Sequence, residues 1–296
     1  MAHPSSHATS PPRSVVRYSS LFIARIWFEE SPWRLSGFWS VLAAGLAAGL
    51  LGRLNQVDWP SLLLLLLLTD LLWGSIWGML ADTTPTGPTL QATAPVRIWL
   101  PYLHPGSPAA RLFGMDAPGL LPSLLRSVLP SILLASLAAA ALGATALWMT
   151  GAVVLLSFFA GLHRQVDLIP VGLLHSLTGV TLPWLLALNQ FGLTSEHPAW
   201  NTQMALLGLW TLLAWGSSRA MAWPGDRLGL VLLAGAQLGI ALLLILARAP
   251  LWLALLGVLW LPTWLAVHQE QPLAKVRLWW LLALFVSSMA LGQTPA

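Results

Sequence analysis

The sequence predicts an all-α, polytopic membrane helical bundle, and three observations carry that prediction. Hydrophobic residues fill 57% of the 296 positions while Asp, Glu, Lys and Arg fill only 8%, against about a quarter in soluble domains. Mean hydropathy is +0.74. The apolar residues run in long unbroken stretches, with none of the alternation that a barrel strand requires. Cysteine is absent, which excludes disulfides, iron–sulfur clusters, CxxCH haem attachment and thiolate zinc sites. The cations are almost all arginine, Lys275 being the single lysine, and the net charge is +4.

Taken in order, residues 1–19 are rich in Ser, Pro and His and read as a disordered tail. Residues 20–35 mix aromatic and charged side chains and suit a helix lying in the membrane interface. The membrane domain, 36–292, divides into nine expected spans at about 36–53, 60–81, 127–143, 145–162, 168–191, 200–218, 228–247, 250–267 and 277–292. Two boundaries need an argument. The apolar runs 127–162 and 228–267 are far longer than the roughly 20 residues that cross a bilayer, so each is divided in two. Gly143 and Pro250 are the natural turns.

Charge tests this division, because positive residues gather on the cytoplasmic side. Nine spans place Arg13, Arg17, Arg25, Arg34, Arg97, Arg111, Arg126, Arg164, Arg219, Arg227, Lys275 and Arg277 on one side and Arg53 and Arg248 on the other, 12 against 2. A single span over 127–162 would give 8 against 6. The expected topology therefore has a cytoplasmic N-terminus and a C-terminus on the opposite side. The longest loop, 83–126, is then cytoplasmic. The 18 tryptophans are expected mainly in interfacial belts.

Ionisable residues within spans are functional candidates by default. Asp70, in TDLLWGSIWGMLAD, heads a stripe of Gly74, Gly78 and Asp82 at four-residue spacing. The stripe is either a small-residue helix contact with Asp70 buried against a partner, or the wall of a cavity where Asp82 holds a cation. A second polar cluster, WGSSRAMAWPGDRLG, holds Arg219, Asp226 and Arg227. It is either a solvated loop with topological arginines or an anion-binding mouth, since arginine suits phosphate geometry; His163 and Arg164 end on the same side. His175 is a lone intramembrane histidine, either bonded to a neighbouring helix or an axial ligand to a chlorin or haem. No P-loop, HExxH, GxSxG or dinucleotide fingerprint occurs, and the scattered arginines give no nucleic-acid footprint.

The span count, the cytoplasmic N-terminus and the polar loops after spans two and six resemble the UbiA family of membrane prenyltransferases. Two segments carry the local resemblance: ESPWRLSGFWSVLAAGLAAG at the first span and HRQVDLIPVGLLHSLTGVTLPWLLALNQFG at the fifth. The resemblance implies a lipid- or isoprenoid-binding cavity and, in an active member, Mg²⁺ held by Asp-rich motifs after spans two and six. On those motifs Asp82 and Asp226 would ligate the metal, and Arg164, Arg219 and Arg227 would bind diphosphate. The chain departs from the pattern: the motif NDxxDxxxD ending at Asp82 finds Gly74, Ser75 and Gly78 where Asn and two Asp stand in the family, and Asp226 is the sole acid of the second loop. Mg²⁺ is ordinarily held by one or two carboxylates together with phosphate oxygens. The expectation is a weakly catalytic or non-catalytic accessory subunit of a membrane complex, one that handles quinones or pigments. The alternatives are a divergent active prenyltransferase acting on an aromatic or tetrapyrrole acceptor, and a transporter using Asp70.

Overall fold

A computed structural model describes residues 36–56, 58–81, 128–163, 171–193, 196–223 and 225–293. The expected tail, the interfacial helix at 20–35 and the loop 83–126 lie outside these residues, as do Asp82 and Arg164. Every regular element among the described residues is helical. They are α1 (Gly37–Ala47), α2 (Trp59–Leu80), α3 (Leu129–Leu142), α4 (Ala144–His163), α5 (Val171–Gln190), α6 (Trp200–Ala222), α7 (Arg227–Leu246), α8 (Pro250–His268) and α9 (Arg277–Gln293). Six helical stretches among the described residues are long and apolar enough to cross a membrane: α2, α4, α5, α7, α8 and the stretch Leu273–Gln293 containing α9.

Each helix from α2 onward runs opposite to the one before it. At one end Ser131 of α3 donates to the Met79 sulfur, Gly161 of α4 lies against the Leu80 carbonyl, and Gly172 of α5 lies against Ser218 of α6. Arg277, opening α9, reaches Met221 at the same end. At the opposite end Gln203 donates to the Ala47 carbonyl at 2.9 Å, Gln190 donates to the Leu142 carbonyl at 2.9 Å, and Gly292 abuts the Leu46 carbonyl. The reversal between α3 and α4 is made by Gly143 alone, whose φ of +113° is open to glycine and strained for other residues. Between α7 and α8 it is made by Arg248 at φ +54° and by Pro250 at the first turn of α8, a position that tolerates a missing N–H. Arg219, Arg227, Lys275 and Arg277 therefore share one end, and Arg53 and Arg248 the other.

The first expected span, 36–53, is corrected. α1 has 11 residues, about 16 Å at 1.5 Å per residue, half the hydrocarbon thickness. It stops because Gly49 turns the chain at φ +78° with its N–H on the Leu46 carbonyl, and a 3₁₀ turn, Leu50–Gln56, follows. Its other end, Gly37, packs on Thr69 and Pro183, midway along α2 and α5. α1 is thus a half-length helix with its N-terminus inside the bundle.

Some of the tryptophans serve the interior of the bundle. Trp73, Trp184, Trp210 and Trp280 are among the largest fully buried side chains, and three of them tie helices together. Trp73 donates to Thr150 at 3.0 Å, Trp210 to Ser287 at 3.1 Å, and Trp280 to Thr263 at 2.9 Å. An indole offers a large apolar body with one donor, so a single Ser or Thr opposite satisfies it.

Close helix approaches depend on particular glycines. At Gly161 and Gly292 a Cβ would strike a backbone carbonyl of the neighbouring helix, which cannot rotate away. At Gly78, Gly151 and Gly257 a Cβ would meet nothing within 4 Å. We expect Gly161→Ala and Gly292→Ala to lose about 1–3 kcal/mol each. Gly78→Ala, Gly151→Ala and Gly257→Ala should lose nothing, in thermal unfolding of the detergent-solubilised protein.

Candidate functional site

Two of the spanning helices are widened at mid-length. α2 takes π geometry over Leu67–Leu72, and α5 does so over Leu177–Thr181. Each widened turn holds a threonine bonded back to its own helix: Thr69 to the Leu65 carbonyl at 2.9 Å and Thr178 to the Leu174 carbonyl at 3.0 Å. Such turns disturb the i→i−4 ladder and recur at functional sites. Here both face the first turn of α1. Ser40 of α1 donates to the Gly179 carbonyl at 3.2 Å, and the Phe38 N–H donates to Asp70 Oδ1 at 3.4 Å.

The second contact explains why an aspartate lies within α2. The first N–H groups of a helix have no partner inside it, and α1 begins at mid-depth. Ser36, its N-cap, makes no side-chain cap bond. Asp70, 7% exposed, supplies a carboxylate from another helix to the positive end of the α1 dipole. Gly37 permits this, because a Cβ there would collide with the Thr69 carbonyl.

Around this junction lies a small, partly open cleft, with room for about one water molecule, whose walls include Asp70, Trp73, Trp77, Thr178 and Gly179. Asp70, Trp73 and Trp77 share one face of α2 at three- and four-residue steps. Trp73 is held by its bond to Thr150, and Trp77 meets His175 edge-on with ring centroids 5.4 Å apart. His175 thus stands beside the cleft against an indole. Gly74 also lines the cleft, whereas Gly78 faces open space. The stripe read from sequence therefore divides: its upper part forms a cavity wall, and Gly78 makes no close helix contact.

The second cluster lies where α6 turns into α7. Asp226 is the N-cap of α7, accepting from the Gly229 N–H at 3.2 Å, and the same oxygen accepts from Arg219 Nε at 2.7 Å. Gly225 at φ +84° makes the tight turn. The Arg219 hydrogen bond is the largest effect and, against desolvation and with help from the Arg219 charge and backbone N–H groups, holds the Asp226 carboxyl below the usual carboxylate range. Arg227 is exposed beside them. The structure thus brings Arg219 and Asp226 together as a helix-capping ion pair.

Of the two carboxylates that the resemblance assigns to a metal, Asp82 lies outside the described residues. Asp226 Oδ2 is already shared by a guanidinium and a helix N-terminus, and among the described residues no three of His, Asp and Glu come together. Sequence reasoning singled out Asp70, His175, Arg219, Asp226 and Arg227 but missed the capped start of α1, Ser40 and the α5 half of the cleft. The signal for the latter was present as Thr178-Gly179 within an apolar span, matching Thr69-Asp70. Compared with protein-family models, curated proteins and solved structures, the chain matches none.

The depressed Asp226 carboxyl has a definite pH signature. A lowered folded-state pKa stabilises above the unfolded value, near 3.9 for Asp, and that stabilisation is lost as pH falls through the folded value. Acid unfolding of the wild type should therefore be steeper below about pH 4 than that of Asp226→Asn, which keeps a capping oxygen and loses the ion pair.

Proposed function

We propose that this chain is an accessory, non-catalytic membrane subunit of UbiA-like architecture. In this reading α1 enters the membrane only to mid-depth, α2 to α9 cross it in alternation, the N-terminus is cytoplasmic and the C-terminus lies on the opposite side. One observation carries the non-catalytic reading: Asp70 and Asp226, offered by the sequence as ion carrier and metal ligand, both cap helix N-termini. A carboxylate engaged in holding a helix start inside the bundle, or paired at 2.7 Å with an arginine assigned to diphosphate, serves the fold. The orientation rests on the arginine-rich end shared by Arg219, Arg227, Lys275 and Arg277, and on the alternation of the helices.

The capping role predicts an ordering of variants. Asp70→Asn keeps an acceptor for the Phe38 N–H, whereas Asp70→Leu leaves that donor in hydrocarbon; the Leu variant should be less stable by about 0.5–2 kcal/mol. Purification from native membranes in mild detergent should co-isolate partner subunits or pigment with the wild type. A clean monomer with Mg²⁺-dependent prenyl transfer that Asp82→Ala abolishes would overturn the accessory reading in favour of a divergent prenyltransferase.

A specific observation favours a second reading, transport. Asp70 lines a cleft at mid-depth between two widened helices, where intramembrane carboxylates serve ion pathways. Proton- or ion-coupled flux in proteoliposomes that disappears in Asp70→Asn would establish it.

The natural absence of cysteine allows the topology to be read directly. A membrane-impermeant thiol reagent applied to intact cells should label Glu196→Cys and spare Lys275→Cys. The reverse pattern would invert the orientation.

A further inference from the structure

The seam between α7 and α8 carries polar nitrogens at mid-membrane. Trp264 Nε1 donates to Gln237 Oε1 at 2.8 Å, and next to it Trp280 of α9 donates to Thr263 Oγ1. Two further donors, Gln237 Nε2 and Trp260 Nε1, have no acceptor, although the residues are 3% and 8% exposed. Trp260 lies one helical turn before Trp264 on the same face of α8, the face on which Trp264 meets Gln237 of α7. The other buried polar atoms without partners among the described residues are on Ser157, Trp184, Gln203 and Trp215. They are distributed over α4, α5 and α6, and the two on α6 are roughly three turns apart.

Depth decides what acceptor suits the seam. Gln237 is at the middle of the 20-residue α7, which spans about 30 Å. Ester carbonyls and phosphates of ordinary lipids lie at the edge of the hydrocarbon layer, roughly 15 Å away. A charged acceptor is disfavoured at that depth, and an unsatisfied N–H there costs several kcal/mol. Both nitrogens are covered in this structure, and the lipid-facing surface nearest them is Trp264, 39% exposed and flanked by exposed Leu261 and Leu265, whose displacement would open the seam. We infer that the α7–α8 seam binds the carbonyl oxygen of an uncharged, hydrocarbon-soluble molecule, a long-chain ketone or a quinone, with Gln237 Nε2 and Trp260 Nε1 as its donors. The inference depends on the membrane placement of α7 and α8. It is independent of the accessory reading, which partner co-isolation tests separately.

The test uses the full chain in lipid nanodiscs and three probes: a symmetrical long-chain ketone with an isotopically labelled carbonyl, the matching alkane, and a decyl-substituted benzoquinone. Donation by two N–H groups moves the bound carbonyl stretch to lower frequency and raises the unfolding temperature, and the alkane does neither. Gln237→Leu and Trp260→Phe should each weaken binding about tenfold and return the band toward its free position. Leu251→Ala, on the outer surface, should leave both unchanged. Trp260→Phe keeps an aromatic ring without the N–H and maintains the test should Gln237→Leu fail to fold. Binding of the quinone alone identifies a quinone ring as the source, and binding of both probes a general carbonyl site. An unshifted carbonyl in the wild type, an equal shift in both variants, or a seam filled by water that admits no probe overturns the inference.

Discussion

A helix N-terminus inside the hydrocarbon layer is the constraint on which the centre of this protein depends. The bilayer offers no water to the free N–H groups of a helix start, so the protein must supply the acceptors itself. α1 starts at mid-depth, and its surroundings answer that demand. Asp70 meets the Phe38 N–H, Gly37 removes the Cβ that would hold the helices apart, and Ser40 bonds the carbonyl of Gly179. The π geometry of α2 and α5 belongs to the same solution. Each widened turn alters the helical ladder where α1 arrives, so three helices exchange bonds at one junction. The cleft lined by Trp73 and Trp77 is the space this junction leaves.

The same demand recurs at lower stakes where α7 begins at the membrane edge. Asp226 caps its first turn and is held by Arg219, with water near enough to share the work. One type of residue therefore performs one physical task at two depths. The chain has only 10 acids in 296 residues. Charge is scarce because each group is costly in a bilayer, so its position is governed first by the backbone it satisfies.

Much of the fold was legible in the sequence, because hydropathy and the sidedness of arginine are strong, additive signals. The turns at Gly143 and Pro250 follow from them: a 36-residue run is too long for one helix, and a glycine or proline is the only cheap place to turn. The length of α1 was not legible. Its termination rests on Gly49 adopting positive φ, and the AAGLAAGLLG stretch offers several glycines of equal local merit. The π turns were hidden for a related reason, since Thr-Asp and Thr-Gly within leucine-rich stretches read equally well as ordinary helix. Of the site, Asp70 was visible as a charge out of place, but its partner was not, because a backbone N–H donor thirty-odd positions away leaves no mark in side-chain chemistry.

The tryptophans show that a composition argument does not sort individual side chains that have two uses. Indoles gather at membrane interfaces because one end is apolar and the other is wet. The same division suits them to a dry interior wherever a neighbouring helix supplies one hydroxyl, as Thr150, Ser287 and Thr263 do. Sequence spacing cannot distinguish the two, since the hydroxyl that decides the matter lies on a different helix. That pairing also gives the orphaned donors their meaning. The bundle provides a hydroxyl for three of its buried indoles and leaves Trp184, Trp215 and Trp260 without one; of these, Trp260 is the one on the helix face that meets Gln237, whose amide nitrogen also lacks an acceptor. The polar groups within the chain set the packing of the bundle, and those left over mark where the membrane's own contents can bind.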